Sequence, residues 1–145
     1  MDSHKNTKPQ RADAEEIESI ARAVVDCGYH LHRDLGPGLL ENVYERLLCE
    51  YLRERGLAFQ CQLSVPITHK GVVIDNAFRA DILVEGKLLI ELKSTESHSP
   101  VHAKQLLTYL RLLDLPLGLL MNFGAPIFKD GIRRIANNYF GIARE

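Results

Sequence analysis

The sequence predicts one α/β (α+β) domain built on a mixed β-sheet, and three observations lead to this fold class. Three segments carry apolar residues at helical spacing, and strand-like segments lie after and between them. The strand-like segments form an antiparallel meander, and a helix then crosses over to a further strand, which is typical of a mixed sheet flanked by helices. The 145 residues, 46% of them hydrophobic and 26% charged, suffice for one core of this kind.

Two helices are predicted in the first part of the chain. Residues 1–12 are polar and lack an apolar period, so we expect a disordered tail there and a single domain over residues 13–145. The apolar spacing over Ile17–Leu35 predicts a first helix, which a Gly-Pro-Gly turn ends. A second apolar stripe over Leu40–Tyr51 predicts another helix, and Gly56 closes it.

The rest of the chain is predicted to form the strands of the sheet and a third helix. Ser99-Pro100 opens a third helix, with serine as N-cap and proline at the first helical position, and Pro116 ends it. We expect the nearly all-apolar strand after this helix to be central in the sheet. The strands are expected at Phe59–Thr68, Val72–Ile74, Ala77–Val84, Lys87–Lys93 and Leu117–Phe123, with Pro126–Ile135 as a final edge strand or hairpin.

Charge and composition exclude several classes of function. The 18 basic and 19 acidic side chains leave a net charge of -1, which excludes a protein that binds nucleic acid through bulk positive charge. No apolar run approaches the roughly 20 residues that span a bilayer, so we expect no membrane helix. The start of the chain lacks the apolar region of a secretory signal, and we expect a cytoplasmic protein. Cys27, Cys49 and Cys61 are odd in number and widely spaced, so we interpret them as reduced packing residues.

The most informative polar residues lie at the end of an otherwise apolar strand. Side chains alternate between the two faces of a sheet, so Glu91 and Lys93 share a face. A strand that only filled a core would not need an acid and a lysine two residues apart. Glu91 and Lys93 are therefore candidates for a functional site.

Whether Asp81 joins this face depends on the length of the hairpin loop around Glu85-Gly86. A two-residue loop places Asp81 opposite Ile90 and leaves the glutamate of the next strand on the other face. A three-residue loop, Val84–Gly86, brings Asp81 opposite Leu89 and onto the face of the Glu-x-Lys pair. Glycine at the position that requires positive φ favours the three-residue loop, which predicts a site of two carboxylates and a lysine.

Two carboxylates near a strand end are hard oxygen ligands that suit Mg²⁺ or Mn²⁺. Such an ion offsets the charge that develops on a phosphodiester, and Lys93 could position the nucleophile or stabilise the transition state. The alternative interpretation is that Glu91 and Lys93 form an exposed ion pair on an edge strand. Spacing alone leaves both interpretations open.

Two further pairs of residues lie at helical spacing. Gln105 and Tyr109 are four residues apart beside the leucine face of the third helix, and from there could reach over the strand end to a phosphate or a base. Glu41 and Tyr44 are three residues apart, and Glu41 lies in the first turn of its helix, where a carboxylate suits the dipole. The alternatives are a simple helix-start acid for Glu41 and ordinary packing at the edge of the core for both tyrosines.

The segment Gly38–Tyr44 reads Gly-x-x-Glu-x-x-Tyr, the signature of the GxxExxY proteins, a branch of small proteins that resembles the PD-(D/E)XK nuclease superfamily. The resemblance extends over nearly the whole predicted domain. Its other segments are His32–Glu41, Arg79–Asp81, Glu91-Leu92-Lys93, Gln105–Leu110, Asn122–Gly124 and Asp130–Arg134.

This resemblance implies a restriction-endonuclease-like core, in which helices flank a mixed β-sheet. It also implies Mg²⁺ or Mn²⁺ as cofactor, and the catalytic residues Lys93, Glu91, Asp81 and Glu41, of which the three acids are the metal ligands. The residues that it implies for substrate binding are Gln105, Tyr109 and Arg79. The chain departs from the superfamily pattern at Ala80, where a proline commonly precedes the aspartate.

One hypothesis and two alternatives follow. The hypothesis is a nuclease that hydrolyses DNA or RNA with a divalent metal ion. The first alternative is a non-catalytic module that keeps this fold and binds nucleic acid or protein, and the second is a structural homodimer with a vestigial site. The near-neutral charge predicts weak binding to nucleic acid by the chain alone, so a protein partner, a homodimer or a specialised substrate is expected.

Overall fold

The computed structural model describes residues 11–142, which form a mixed sheet with helices on both of its faces. The tail expected over residues 1–12 lies outside the described residues except for its last two, which begin the first helix. The helices are α1 (Arg11–Leu35), α2 (Glu41–Glu54) and α3 (Pro100–Leu113), with a short 3-10 helix at Phe128–Gly131. The strands are β1 (Phe59–His69), β2 (Val72–Val84), β3 (Leu88–Lys93), β4 (Leu117–Asn122) and β5 (Ile132–Ala136).

The five strands lie in the order β1-β2-β3-β4-β5. All neighbours are antiparallel except β3 and β4, which are parallel and are joined through α3. The predicted fold class is confirmed, and β4, whose six residues are all buried, is an inner strand as expected. In the described part of the chain no helix is both long and apolar enough to cross a membrane.

The sheet separates two hydrophobic cores. Helices α1 and α2 cover one face, where Val24, Leu31 and Leu48 pack on Ile82 and Ile90. Helix α3 covers the other face with a smaller core, whose members include Leu106, Leu110, Leu89 and Leu120. The apolar stripes read from the sequence are the buried faces of these helices, so periodicity alone identified the layers.

A long ribbon formed by β1 and β2 extends past the rest of the sheet. Only Ile82–Val84 of β2 pair with β3, whereas β2 pairs with β1 back to Val72. The sequence predicts two short strands here, Val72–Ile74 and Ala77–Val84, and the structure has one. The polar residues between them do not interrupt β2, because this part of the ribbon is exposed to solvent and does not need apolar side chains.

The loop between β2 and β3 has three residues, as the sequence predicts, but it begins one residue later. Val84 pairs with Leu88, so the loop is Glu85–Lys87. Glu85 and Gly86 both have positive φ, and the Lys87 N–H donates to the Val84 carbonyl, which leaves Lys87 outside the ladder. The predicted partner of Asp81 was therefore wrong.

The prediction that the two carboxylates lie on the same face of the sheet is nevertheless correct. In the observed register Leu89 pairs with Leu83, and continuing that register past the last pair, Ile82–Ile90, places Asp81 opposite Glu91, two residues along β3 from the predicted Leu89. A shift by two residues preserves the side of the sheet to which a side chain points. Asp81 and Glu91 thus lie directly opposite one another.

The three cysteines are free, as predicted. Cys27 and Cys49 are buried packing residues, whereas Cys61 on β1 is exposed, so its assignment to the core was wrong. Its Sγ lies 2.9 Å from that of Cys49, because β1 is the edge strand and runs past the side of α2.

Candidate active site

The strands β2 and β3 diverge after the pair Ile82–Ile90, and two carboxylates occupy the fork between them. The Asp81 N–H donates to Glu91 Oε1 at 3.0 Å, and the Leu92 N–H donates to Asp81 Oδ2 at 2.8 Å. Each carboxylate therefore accepts a backbone hydrogen bond from the opposite strand. These bonds fix both acids where the sheet opens.

Both carboxylates of the fork resist ionisation. Glu91 is only 7% exposed, and its burial, followed by repulsion from Asp81, raises its pKa to about 8. Burial also raises the pKa of Asp81, although the Leu92 N–H and the charge of Lys93 act in the opposite direction. A buried and a half-buried acid in contact need a compensating positive charge to ionise together, and carboxylates are the ligands that Mg²⁺ and Mn²⁺ prefer. The donor set therefore fits a divalent cation.

Lys93 ends β3 on the open side of this fork. It is half-buried, and its charge lowers the pKa of both Asp81 and Glu91. The alternative of an exposed ion pair on an edge strand is wrong, because β3 lies between β2 and β4 and Glu91 is buried. The structure thus brings together three of the predicted site residues: Asp81, Glu91 and Lys93.

Glu41 is the first residue of α2 and is exposed. It lies one helical turn before Glu45 on α2. Among residues 11–142 no group of three or more His, Cys, Asp and Glu side chains is arranged to hold a metal ion. The structure therefore contains the pair of Asp81 and Glu91, and the role of Glu41 as a third metal ligand remains a prediction.

Glu45, one helical turn after Glu41, was not identified from the sequence. Burial and the charge of Asp81 raise the pKa of this half-buried glutamate, and its Oε1 accepts a hydrogen bond of 2.8 Å from Gln62 Nε2 on β1. Gln62 Nε2 also lies 3.5 Å from Asp81 Oδ1. The spacing of four residues between Glu41 and Glu45 was a signal for a shared helix face. Nothing local in the sequence points to Gln62.

Helix α3 supplies the far wall of the site. Tyr109 is buried and stacks on Phe78 of β2, with ring centroids 3.8 Å apart. Burial, and then the charges of Glu91 and Asp81, raise the pKa of Tyr109. Gln105, one turn earlier, is exposed.

Arg79 is exposed on β2, two residues before Asp81. Neither Arg79 nor Gln105 is needed to complete the hydrophobic cores, and both are accessible from solvent. The roles predicted for Arg79, Gln105 and Tyr109 in substrate binding remain predictions.

The segment Gly38–Tyr44 shapes the loop in front of α2. Gly38 has φ of 113°, a conformation open to glycine. The fully buried Tyr44 stacks on Phe123, and its hydroxyl donates to the Gly36 carbonyl at 2.5 Å and accepts from the Leu39 N–H at 3.2 Å. Tyr44 is therefore a core residue that pins this loop, rather than a residue at the edge of the core.

The loop is also tied to the end of β3. Ser94, which follows Lys93, donates from its hydroxyl to the Leu39 carbonyl at 2.6 Å. The start of α2, and with it Glu41, is thereby held beside the strand that carries Glu91 and Lys93.

Replacement of Tyr44 by phenylalanine is expected to lower the free energy of unfolding by about 1–3 kcal/mol, because Gly36 and Leu39 each lose a hydrogen-bond partner while the ring stack remains. Urea unfolding measures this change. The matched variant Tyr29→Phe, at a tyrosine that is 49% exposed, is expected to stay within about 0.5 kcal/mol of the natural chain. Equal stability of the two variants would show that the Tyr44 hydroxyl does not hold the loop.

Comparison with known proteins accords with this geometry. A model of the PD-(D/E)XK nuclease superfamily matches residues 18–135, a range that includes α2, the fork and α3. Neither the curated proteins nor the solved structures gave a match. The closer resemblance to the GxxExxY branch stays a prediction. Because the family model covers well over half of the chain, the chain belongs to the PD-(D/E)XK nuclease superfamily.

Proposed function

We propose that the protein is a nuclease that hydrolyses phosphodiester bonds of DNA or RNA and uses Mg²⁺ or Mn²⁺. The observation that carries this proposal is the pair of the half-buried Asp81 and the buried Glu91 in the fork, with Lys93 beside it. Membership in the superfamily supports nuclease-type chemistry and binding of nucleic acid.

Each residue of the fork has a distinct part in this proposal. Asp81 and Glu91 hold the cation, and their backbone hydrogen bonds keep them from turning away. When bound, the ion supplies positive charge to the phosphate oxygens as negative charge develops on them. Lys93 donates hydrogen bonds to a phosphate oxygen and orients the attacking water.

The walls of the site have the chemistry to hold a nucleotide chain. Tyr109 lies on α3, and Gln105 and Arg79 offer exposed donors for phosphates. With a net charge of -1, the chain has no bulk attraction for nucleic acid, so we expect weak affinity and a role for a protein partner or a second copy. A cytoplasmic location stays a prediction.

The proposal is tested with end-labelled single-stranded and double-stranded DNA and RNA. We expect cleavage of at least one of these substrates in Mg²⁺ or Mn²⁺, no cleavage in EDTA, and none by an Asp81→Asn chain purified in parallel, which controls for contaminating nucleases. A folded natural chain that cleaves none of them, or that cleaves as fast as Asp81→Asn, would contradict the proposal. Binding of a substrate without cleavage would favour the non-catalytic module instead.

A further inference from the structure

Gln62 of β1 has an unusual backbone conformation. Its φ is 53°, in the left-handed region that residues with a Cβ seldom adopt, least of all inside a strand. Of the non-glycine residues with positive φ in the described part of the chain, it alone lies within a strand. The others lie in turns, at a helix end or after the last strand: Lys70, Glu85, Asp114 and Asn138.

This conformation occurs opposite the candidate site. Cys61 pairs with Ile82 and Leu63 pairs with Ala80, so Gln62 lies across from Asp81. The ribbon also changes face here, because Phe59 packs with the α1–α2 core whereas Leu63 packs with the α3 core. A backbone outlier held in place at a site is a reason to ask what its side chain does.

The side chain of Gln62 reaches two acids. Although Gln62 itself is exposed, its Nε2 lies 2.8 Å from Glu45 Oε1 and 3.5 Å from Asp81 Oδ1, and both of these acids are half-buried. One amide nitrogen carries two hydrogens and can serve two carboxylates. A lysine or arginine in this place would bring a positive charge that competes with a bound cation, whereas an amide orients the carboxylates without charge.

We propose that Gln62 is a positioning residue of the site: its amide holds Glu45 of α2 and the Asp81 carboxylate in the orientation in which Asp81 meets a divalent cation. The inference rests on the proposed function in so far as the cation is the one proposed above. Asp81 Oδ2 is held by the Leu92 N–H, and Gln62 acts on the other oxygen, so the two contacts together orient the carboxylate.

Replacement of Gln62 by glycine separates this role from a merely structural one. Glycine removes the amide and accepts the left-handed conformation, so the thermal midpoint of unfolding is expected to stay the same or rise. The affinity for Mn²⁺, measured by calorimetry, is nevertheless expected to fall about 10-fold, as when an outer partner of a metal ligand is lost. Gln62→Ala is expected to lose the same affinity and to have a lower midpoint.

The matched control is Lys70→Gly. Lys70 has φ of 51° in the turn at the far end of the same ribbon, so this variant relieves the same kind of strain away from the fork. Its midpoint is expected to rise or stay unchanged, and its affinity for Mn²⁺ to equal that of the natural chain.

A measurement without any cation makes the inference independent of nuclease activity. Three-bond coupling constants in the metal-free protein report the rotamers of Asp81 and Glu45. We expect fixed rotamers in the natural chain and averaging, above all at Glu45, in Gln62→Gly. Unchanged couplings in Gln62→Gly would overturn the proposal, whatever the affinity does. Averaged couplings in a protein whose natural form binds no Mn²⁺ would support the role of Gln62 and overturn the proposed nuclease function instead.

Discussion

Glu91→Gln is expected to lower cation-dependent cleavage about 1000-fold, which corresponds to the several kcal/mol that a catalytic metal ion contributes. Glutamine keeps the volume of the side chain and an oxygen that accepts from the Asp81 N–H, but it removes the negative charge that would hold the cation. Mn²⁺ affinity by calorimetry is expected to fall together with the cleavage rate.

The same variant is expected to alter how stability depends on pH. In the metal-free natural chain the pKa of Glu91 is raised from 4.5 to about 8, so the folded state binds more protons than the unfolded state between these values. The free energy of unfolding therefore falls as pH rises through this window, and Asp81, whose pKa is also raised, adds to the decline. Glu91→Gln lacks the contribution of Glu91.

Urea unfolding in EDTA across this pH range checks the effect. A shallower decline in Glu91→Gln than in the natural chain is the expected result. Equal slopes of the free energy of unfolding against pH would show that Glu91 ionises normally in the folded state. Full cleavage activity of the variant would exclude a catalytic role for Glu91.

Lys93→Met is expected to lower cleavage about 100- to 1000-fold, the effect of losing one preorganised donor to a developing negative charge, while Mn²⁺ still binds. The cation ligands remain in place because Asp81 and Glu91 are fixed by backbone hydrogen bonds that do not involve Lys93. Single-turnover rates and calorimetry on the same samples separate the two effects.

The control for this variant is Lys87→Met, in the loop that precedes β3, which is expected to cleave at the natural rate. A natural rate in Lys93→Met would exclude a catalytic role for Lys93. A loss of Mn²⁺ affinity as large as that in Glu91→Gln would mean that Lys93 acts through the cation site rather than on the phosphate.

Much of the fold could be predicted because it depends on local periodicity. The apolar stripes of the three helices identified the faces that are buried, and the uninterrupted apolar run of β4 identified an inner strand. The common face of Asp81 and Glu91 followed from the alternation of side chains along a strand, because an error of two residues in the register leaves the face unchanged. The register itself was missed by two residues, because it depends on backbone angles at Glu85 and Gly86 that side-chain pattern does not reveal.

By itself, the sequence determined the layers of this protein and the candidate acids, because side-chain spacing within one helix or strand is set by local backbone geometry. Only the tertiary structure decided that Gln62 bridges Glu45 and Asp81, and that the Tyr44 hydroxyl holds the loop before α2. These contacts join residues on different elements, and their distances depend on how the elements pack and where a strand leaves its usual conformation. Neither is encoded in the spacing of any single segment.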